Sequence, residues 1–230
     1  MRYCCSDLHG CFDEFMELLR RINFTSNDVM YILGDNVDRG PKPIELLKII
    51  YEHDNIISII GNHEEFLLDY VDKEFDDRDT NLWDINGGEI TRLAIDKLHR
   101  DDPVLCKKII DDMKSWSVCL ILEPYILSHS GYNAKKLKKL PSTIESLDKM
   151  TRDEFTWSRG NFFKCKGIDE YITIFGHTPT RSIRIAFDEK QSDDIWVCSK
   201  YKDKIGIDGA IAFGGQLNCI NLDTIEIIII

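Results

Sequence analysis

The heptad Gly34-Asp35-Asn36-Val37-Asp38-Arg39-Gly40 constrains this chain more than any other stretch. It follows directly on Val29-Met30-Tyr31-Ile32-Leu33, a run with the length and β-branched or aromatic character of a buried strand. A strand that stops at Gly-Asp sets a carboxylate at its C-terminal lip, where open α/β sheets present ligands. Asp35, Asp38 and Arg39 then fall between glycines that permit a tight turn, a set suited to a cation that in turn holds a phosphate. Read alone, the heptad could also be an Asp-Gly loop capping a helix. The rest of the chain decides.

The same placement recurs. Tyr3-Cys4-Cys5 reads as a strand running into Ser6-Asp7-Leu8-His9-Gly10, and Phe12 to Ile22 as an amphipathic helix with acids early and arginines late. Pro41 to about Tyr51 is helical by period, and the strand 55–60 ends in Gly61-Asn62-His63-Glu64. From Glu65 to about Trp116 the pattern predicts helices at 89–98 and 104–116, read as a crossover and partial cap. Within that stretch 69–84 is an acidic solvated segment, and 82–88 a turn with Trp83 as its anchor. A hairpin over 118–122 and 125–128 ends in His129-Ser130-Gly131, and 171–175 ends in Gly176-His177-Thr178-Pro179. Asn133 to Lys139 is expected to be solvated surface. The remainder, including 183–187, 195–198, 205–208 and 217–222, is expected to form short strands, with Ile227 to Ile230 as a last buried one.

Asp7, His9, Asp35, Asn62, His63, His129 and His177 therefore all stand at strand ends, whereas His53 and His99 are expected at the surface. Imidazole and carboxylate donors without thiolate suit Mn, Fe or Zn better than Ca. So many candidates exceed one site and fit two metals that share a carboxylate, roughly 3.5–4 Å apart in such sites. The alternative, a set of separately satisfied polar residues, needs the same coincidence at every one of these strand ends.

Charge and length narrow the classes. A formal net charge of -11 over 230 residues argues against a nucleic-acid or anionic-membrane binder, but not against a phosphorylated substrate whose charge bound cations offset. The length suits one domain over 1–230, with 65–116 as a helical insertion. The eight cysteines are scattered without a C-x-x-C pair, so buried thiols in a reducing compartment are expected. The N-terminus has no h-region and no apolar run reaches a membrane span, so a cytoplasmic protein is expected; a monomer is the expected state.

As a set, D-x-H-G (Asp7 to Gly10), G-D-x-V-D-R-G (Gly34 to Gly40), G-N-H-E (Gly61 to Glu64), H-x-G (His129 to Gly131) and G-H-T-P (Gly176 to Pro179) resemble one family. It is the metal-dependent phosphoprotein phosphatases, within the calcineurin-like metallophosphoesterases. Trp83-x-x-Asn86-Gly87-Gly88 and Trp157-x-Arg159 are similar to the compact bacterial and bacteriophage-lambda type. The resemblance implies an α/β fold, a four-layer αββα sandwich of two mixed β-sheets with a partly helical insertion. It implies two divalent metal ions, Mn2+ first with Fe or Zn as alternatives. Asp7 and His9 would hold the first, Asp35 would bridge, and Asn62, His129 and His177 would hold the second. Asp38 and His63 would form an acid–imidazole pair, with His63 the general acid for direct attack by a hydroxide between the metals. Arg39 and Arg159 would clamp the phosphate.

The implied activity is hydrolysis of phosphomonoesters, on proteins at serine or threonine and on tyrosine as a further option. The alternative is a bis(5'-nucleosyl)-tetraphosphatase, against which the intact Asp38-Arg39 leans. An inactive module binding phosphorylated partners would have lost a ligand or His63, and neither is missing. A nuclease is disfavoured by the absence of a basic stripe. Three departures stand out. Ile59-Ile60 replaces the arginine common before G-N-H-E, for which Arg152, Arg181 or Arg184 could substitute; Ser130 stands where alanine is usual; and the eukaryotic C-terminal loop with a substrate-facing tyrosine is not recognisable.

Overall fold

The computed structural model describes residues 1–73 and 77–230. Strands β1 (Arg2–Cys5), β2 (Val29–Ile32) and β3 (Ile56–Ser58) pair in parallel. Parallel pairing needs crossovers, and each strand is followed by a helix: α1 (Phe12–Arg21), α2 (Pro43–Glu52) and α3 (Asn62–Val71). Three further helices, α4 (Asp77–Ile85), α5 (Glu89–Asp101) and α6 (Pro103–Ser115), complete the helical stretch. The hairpin β4 (Cys119–Leu122) and β5 (Tyr125–Ser128) opens the second sheet. Then come the short α7 (Ala134–Leu137), α8 (Asp153–Thr156) and α9 (Asn161–Lys164), followed by β6 (Ile172–Phe175), α10 (Thr180–Ala186), β7 (Trp196–Val197), β8 (Lys204–Gly206), β9 (Asn218–Asn221) and β10 (Ile227–Ile229).

The strands form two five-stranded mixed sheets, ordered β10-β9-β1-β2-β3 and β4-β5-β6-β8-β7. Strand alternation explains how they stack. In β1 and β2, Cys4 and Tyr31 face the second sheet and meet Tyr125, Leu127, Ile174 and Ile205. Their neighbours Tyr3, Cys5, Met30 and Ile32 face the other way, onto Phe15 and Leu18 of α1 and Leu46 and Ile50 of α2. Likewise Ile126 and Phe175 point away from the sheet–sheet interface, under Leu137, Phe162, Phe163 and Ile183. The order helix, sheet, sheet, helix is the expected four-layer sandwich. α3, α5 and α6 pack with α2 into a further apolar cluster that encloses Trp83. No helix among the described residues is long and apolar enough to cross a membrane.

Several sequence expectations need correction. Residues 183–187 are not a strand: α10 runs through Ala186, burying Thr180 and Ile183 and leaving Ile185 55% exposed. A strand would have put Ile183 and Ile185 on one face. Pro179 instead starts a helix whose i, i+3 pair Thr180 and Ile183 faces the core. Residues 133–139 are not all solvated, because Asn133 caps α7 and Ala134 and Leu137 are buried. β10 is an edge strand rather than a buried one, with Ile227 and Ile229 50% and 40% exposed. α4 continues through Ile85, so the turn begins at Asn86. Of the acidic segment 69–84, residues 74–76 lie outside the described residues. All eight cysteines are free thiols, six of them buried.

Candidate active site

The parallel strands β1, β2 and β3 end at one edge of the first sheet, and β5 and β6 end beside them in the second. Asp7 and His9 follow β1, Asp35 follows β2, Asn62 and His63 follow β3, His129 follows β5 and His177 follows β6. All seven side chains are buried. Turning each strand end inward takes unusual backbone: Asp7, His9, Asp35, Asp38, Arg39 and His177 all adopt positive φ, between 42° and 72°. For residues with a Cβ this conformation costs on the order of 1 kcal/mol or more each, and such strain clusters at functional sites. Gly34 adopts φ 82°, and a Cβ there would come within 2.5 Å of the Gly61 amide.

Asp35 stands between two donor groups. Its Oδ2 lies 3.6 Å from His9 Nε2 and 3.9 Å from His63 Nε2, and its Oδ1 lies 3.4 Å from His129 Nε2. His9, Asp35 and His63 form one close group and Asp35, His129 and His177 a second. Asn62 Oδ1 joins the second, 3.0 Å from His129 Nε2 and 2.8 Å from His177 Nδ1. Asp7 lies outside both groups; its carboxylate accepts from the His177 amide at 3.0 Å.

The ring orientations follow from their outer partners. His9 Nδ1 donates to Val37 O at 2.9 Å and His129 Nδ1 to Leu33 O at 2.7 Å, so each ring turns the lone pair of Nε2 inward. A ring anchored this way is the usual arrangement of a metal-binding histidine. Burial, with His63 and Arg39 next, lowers the His9 pKa well below its ordinary value. Burial likewise pulls His129 down to about 3, and it is the main cause of the lowered value at His177. Burial, then the neighbouring carboxylate of Asp208, raises Asp7; burial, then Asp7, raises Asp35. The imidazoles of His9 and His129, with their lone pairs turned inward, and the crowded carboxylates form a donor set that fits divalent cations.

Asp38 is fully buried, and its Oδ2 accepts from His63 Nδ1 at 2.5 Å and from Trp83 Nε1 at 2.7 Å. Its amide donates to Thr91 Oγ1, so α4 and α5 reach across to hold the heptad loop. Arg39 spreads its fork between His9 Nε2 and His63 Nε2, the latter at 2.9 Å, above the Phe213 ring at 5.0 Å. Arg159 Nε donates to His177 Nε2 at 2.8 Å. Both arginines line a pocket of about 110 Å³ with His9, His177, Asp208 and Phe213. A larger cavity of about 480 Å³, lined by Tyr70, Asp96 and His99, is not lined by any of these residues. Neither Arg181, paired with Asp193, nor Arg184, bound to Glu189 and the Asp194 and Ile195 carbonyls, lines the site pocket.

Several residues with no role assigned from the sequence also build the site. Buried Glu64 accepts from the amides of Asp35, Asn36 and Gly61, tying the heptad to the G-N-H-E turn. Its signal was its place in that block. Asp208, whose pKa burial raises to about 6, and Phe213 lie in the short elements of the C-terminal stretch, where no pattern distinguishes them.

Two mixed sheets that gather buried aspartates and histidines around a shared carboxylate beside two arginines define a metal-dependent phosphoesterase. The family profile described as calcineurin-like phosphoesterase matches residues 3–215, and the chain belongs to that family, one of dinuclear metal-dependent hydrolases. A serine/threonine-protein phosphatase 2 of Salmonella typhimurium is 28% identical over 177 residues, covering 74% of this chain and 76% of that one. A symmetrical bis(5'-nucleosyl)-tetraphosphatase of Chromobacterium violaceum is 28% identical over 183 residues, covering 78% of this chain but 57% of its own length. Among solved structures, one provisionally named a diadenosine tetraphosphatase superposes with a TM-score of 0.69 at 18% identity. The match covers all of this chain and 92% of that one. The fold agrees with the sandwich described above. The compact bacterial type of phosphoprotein phosphatase fits the chain.

Proposed function

We propose that the protein hydrolyses phosphomonoesters on other proteins, chiefly phosphoserine and phosphothreonine, with phosphotyrosine also accepted. The intact Asp38–His63 pair beside Arg39 carries this reading. With Nδ1 fixed on Asp38, His63 has only Nε2 left to work with, and that atom faces the Arg39 guanidinium. Asp7 and His9 would hold one cation, Asn62, His129 and His177 the other, with Asp35 shared between them. Mn2+ is the expected ion, Fe or Zn the alternatives. The chemistry such cations supply when bound is polarisation of phosphoryl oxygens and acidification of water.

The rest belongs to the chain. Arg39 and Arg159 bind phosphate oxygens as planar forks, where lysine would give only a point charge. Each turns from the imidazole it now touches to the incoming phosphate. Once Arg39 has turned, His63 Nε2 can hold a proton and pass it to the departing ester oxygen. The pocket of about 110 Å³ is well below the roughly 300–1,000 Å³ of whole-ligand sites, so the phosphoryl group enters and the rest of the substrate stays on the rim.

A second reading, hydrolysis of dinucleoside polyphosphates, is favoured by the matching tetraphosphatases and by the exposed rings of Trp157 and Phe213, which could stack a base. Both readings are tested by supplying Mn2+ with phosphoserine and phosphotyrosine peptides and with diadenosine tetraphosphate. Cleavage of the dinucleotide alone would overturn the phosphoprotein reading.

Two results are expected at this site. Trp83→Phe removes a donor from buried Asp38; a hydrogen bond to a charged group is worth about 1.5 kcal/mol, so kcat should fall by about tenfold in steady-state assays. Chelation should lower Tm, since saturation at about 100 times Kd adds about 2.7 kcal/mol. The pH dependence has a definite sign. His129 has a pKa lowered to about 3 from 6.5, so the unfolded chain binds more protons between those values, and stability falls as pH drops through that window. Calorimetry of the metal-free protein should therefore find Tm falling as pH drops from 6.5 towards 3.

A further inference from the structure

A wall of aromatic rings borders the site and takes no part in the phosphomonoester chemistry above. Phe66 lies edge-on to His63, with centroids 6.0 Å apart, and Trp157 lies edge-on to Phe66 at 5.8 Å and to His177 at 6.1 Å. The wall thus runs from the imidazole that would protonate the leaving oxygen to the one beside Arg159. Trp157 is 46% exposed, a large apolar surface to leave in water beside the buried imidazole of His177.

Trp157 is also held firmly. Its Nε1 donates to Glu65 Oε2 at 3.1 Å, and Thr156 Oγ1 donates to the same carboxylate. The loop that carries it is tied to the H-x-G block through Ser130. The Ser158 amide donates to Ser130 Oγ at 2.7 Å, and that hydroxyl donates to Phe155 O at 2.7 Å. An alanine at 130 could make neither bond, so the serine departure noted in the sequence has a use beyond its size. A fixed ring presents its surface without an entropic cost at binding.

We propose that Trp157, backed by Phe66, is a specificity-determining surface for the leaving group, and that it raises activity on esters whose leaving group carries a ring, so that phosphotyrosine is accepted beside phosphoserine and phosphothreonine. The inference rests on the phosphomonoester reading. The leaving oxygen must reach His63 Nε2, so the group attached to it departs past Phe66 and Trp157. A phenol ring there gains an edge or face contact that the serine methylene cannot make. The surface selects on shape and π-character rather than on charge.

The test measures kcat/KM for two peptides of one sequence, carrying phosphotyrosine or phosphoserine at the same position, in the Mn2+-loaded wild type, Trp157→Phe and Trp157→Leu. Comparing each substrate with itself across variants removes the intrinsic difference between phenol and alcohol leaving groups. An aromatic contact of this kind corresponds to about 3–10-fold, so Trp157→Leu should lower the phosphotyrosine-to-phosphoserine ratio by that factor and Trp157→Phe should restore most of it. Equal losses on both peptides would show a purely structural role for the loop and overturn the inference while leaving the phosphatase reading intact. A ratio that stays constant at full activity would overturn it too. Hydrolysis of neither peptide by the wild type would bring down the phosphomonoester reading, and this inference with it.

Discussion

Replacing His63 by asparagine is expected to lower kcat on a phosphoserine peptide by about 10²–10⁴-fold, the usual worth of a general acid. Asparagine can still donate to Asp38 but cannot carry a proton to a departing oxygen. A serine alkoxide is a poor leaving group and needs that proton, whereas p-nitrophenolate leaves without it. The loss should therefore be several-fold or more larger on the peptide than on p-nitrophenyl phosphate. Asp38→Asn should follow the same pattern more weakly, because Oδ2 is the acceptor that fixes His63 Nδ1. Equal losses on both substrates would assign His63 to binding rather than to proton transfer.

Asp35→Asn should have an effect of similar or greater size by a different route. Asp35 turns Oδ2 toward His9 and Oδ1 toward His129, so one carboxylate serves both donor groups. Asparagine keeps one oxygen, loses the negative charge, and offers an NH₂ that repels a cation. With cation stabilisation worth several kcal/mol in the transition state, a loss of about 10³-fold or more in kcat/KM is expected. Bound metal should fall below two ions per chain by elemental analysis. Stability should move the other way. In metal-free protein Asp35 is raised by burial and by Asp7, so the neutral amide relieves a buried charge and Tm should hold or rise. A gain in apo-stability with a collapse of activity would mark Asp35 as a residue kept for function.

Much of this site was legible in the sequence because its residues come in short blocks that each end a strand. Three strand–helix units in succession force a parallel sheet, and a parallel sheet aligns its strand ends, so Asp7, His9, Asp35, Asn62 and His63 had to meet along one edge. The second sheet supplies His129 and His177 in the same way. Legibility fails where the constraint is tertiary. Trp83 and Thr91 reach Asp38 from helices about fifty residues further along the chain, at separations of 45 and 53. Nothing local marks either as a partner of the heptad. Asp208 and Phe213 join through left-handed Ala210 and a short 3-10 turn, features with no periodicity to read. The Ile-Arg-Ile-Ala-Phe run reads as a strand because a short apolar stretch satisfies strand and helix patterns alike, and only the packing of Ile183 chooses the helix. The terminal isoleucines show the converse: high β-propensity made the strand but could not say that it lies at an edge.

Everything rests on Asp35 standing between two cation sites. The direct test is an anomalous difference map from crystals grown with Mn2+, collected near the manganese edge. The account predicts two peaks, one on the side of Asp35 nearer His9 and one nearer His129 and His177. A map with no peak at Asp35, from crystals in which the histidines are ordered, would contradict it.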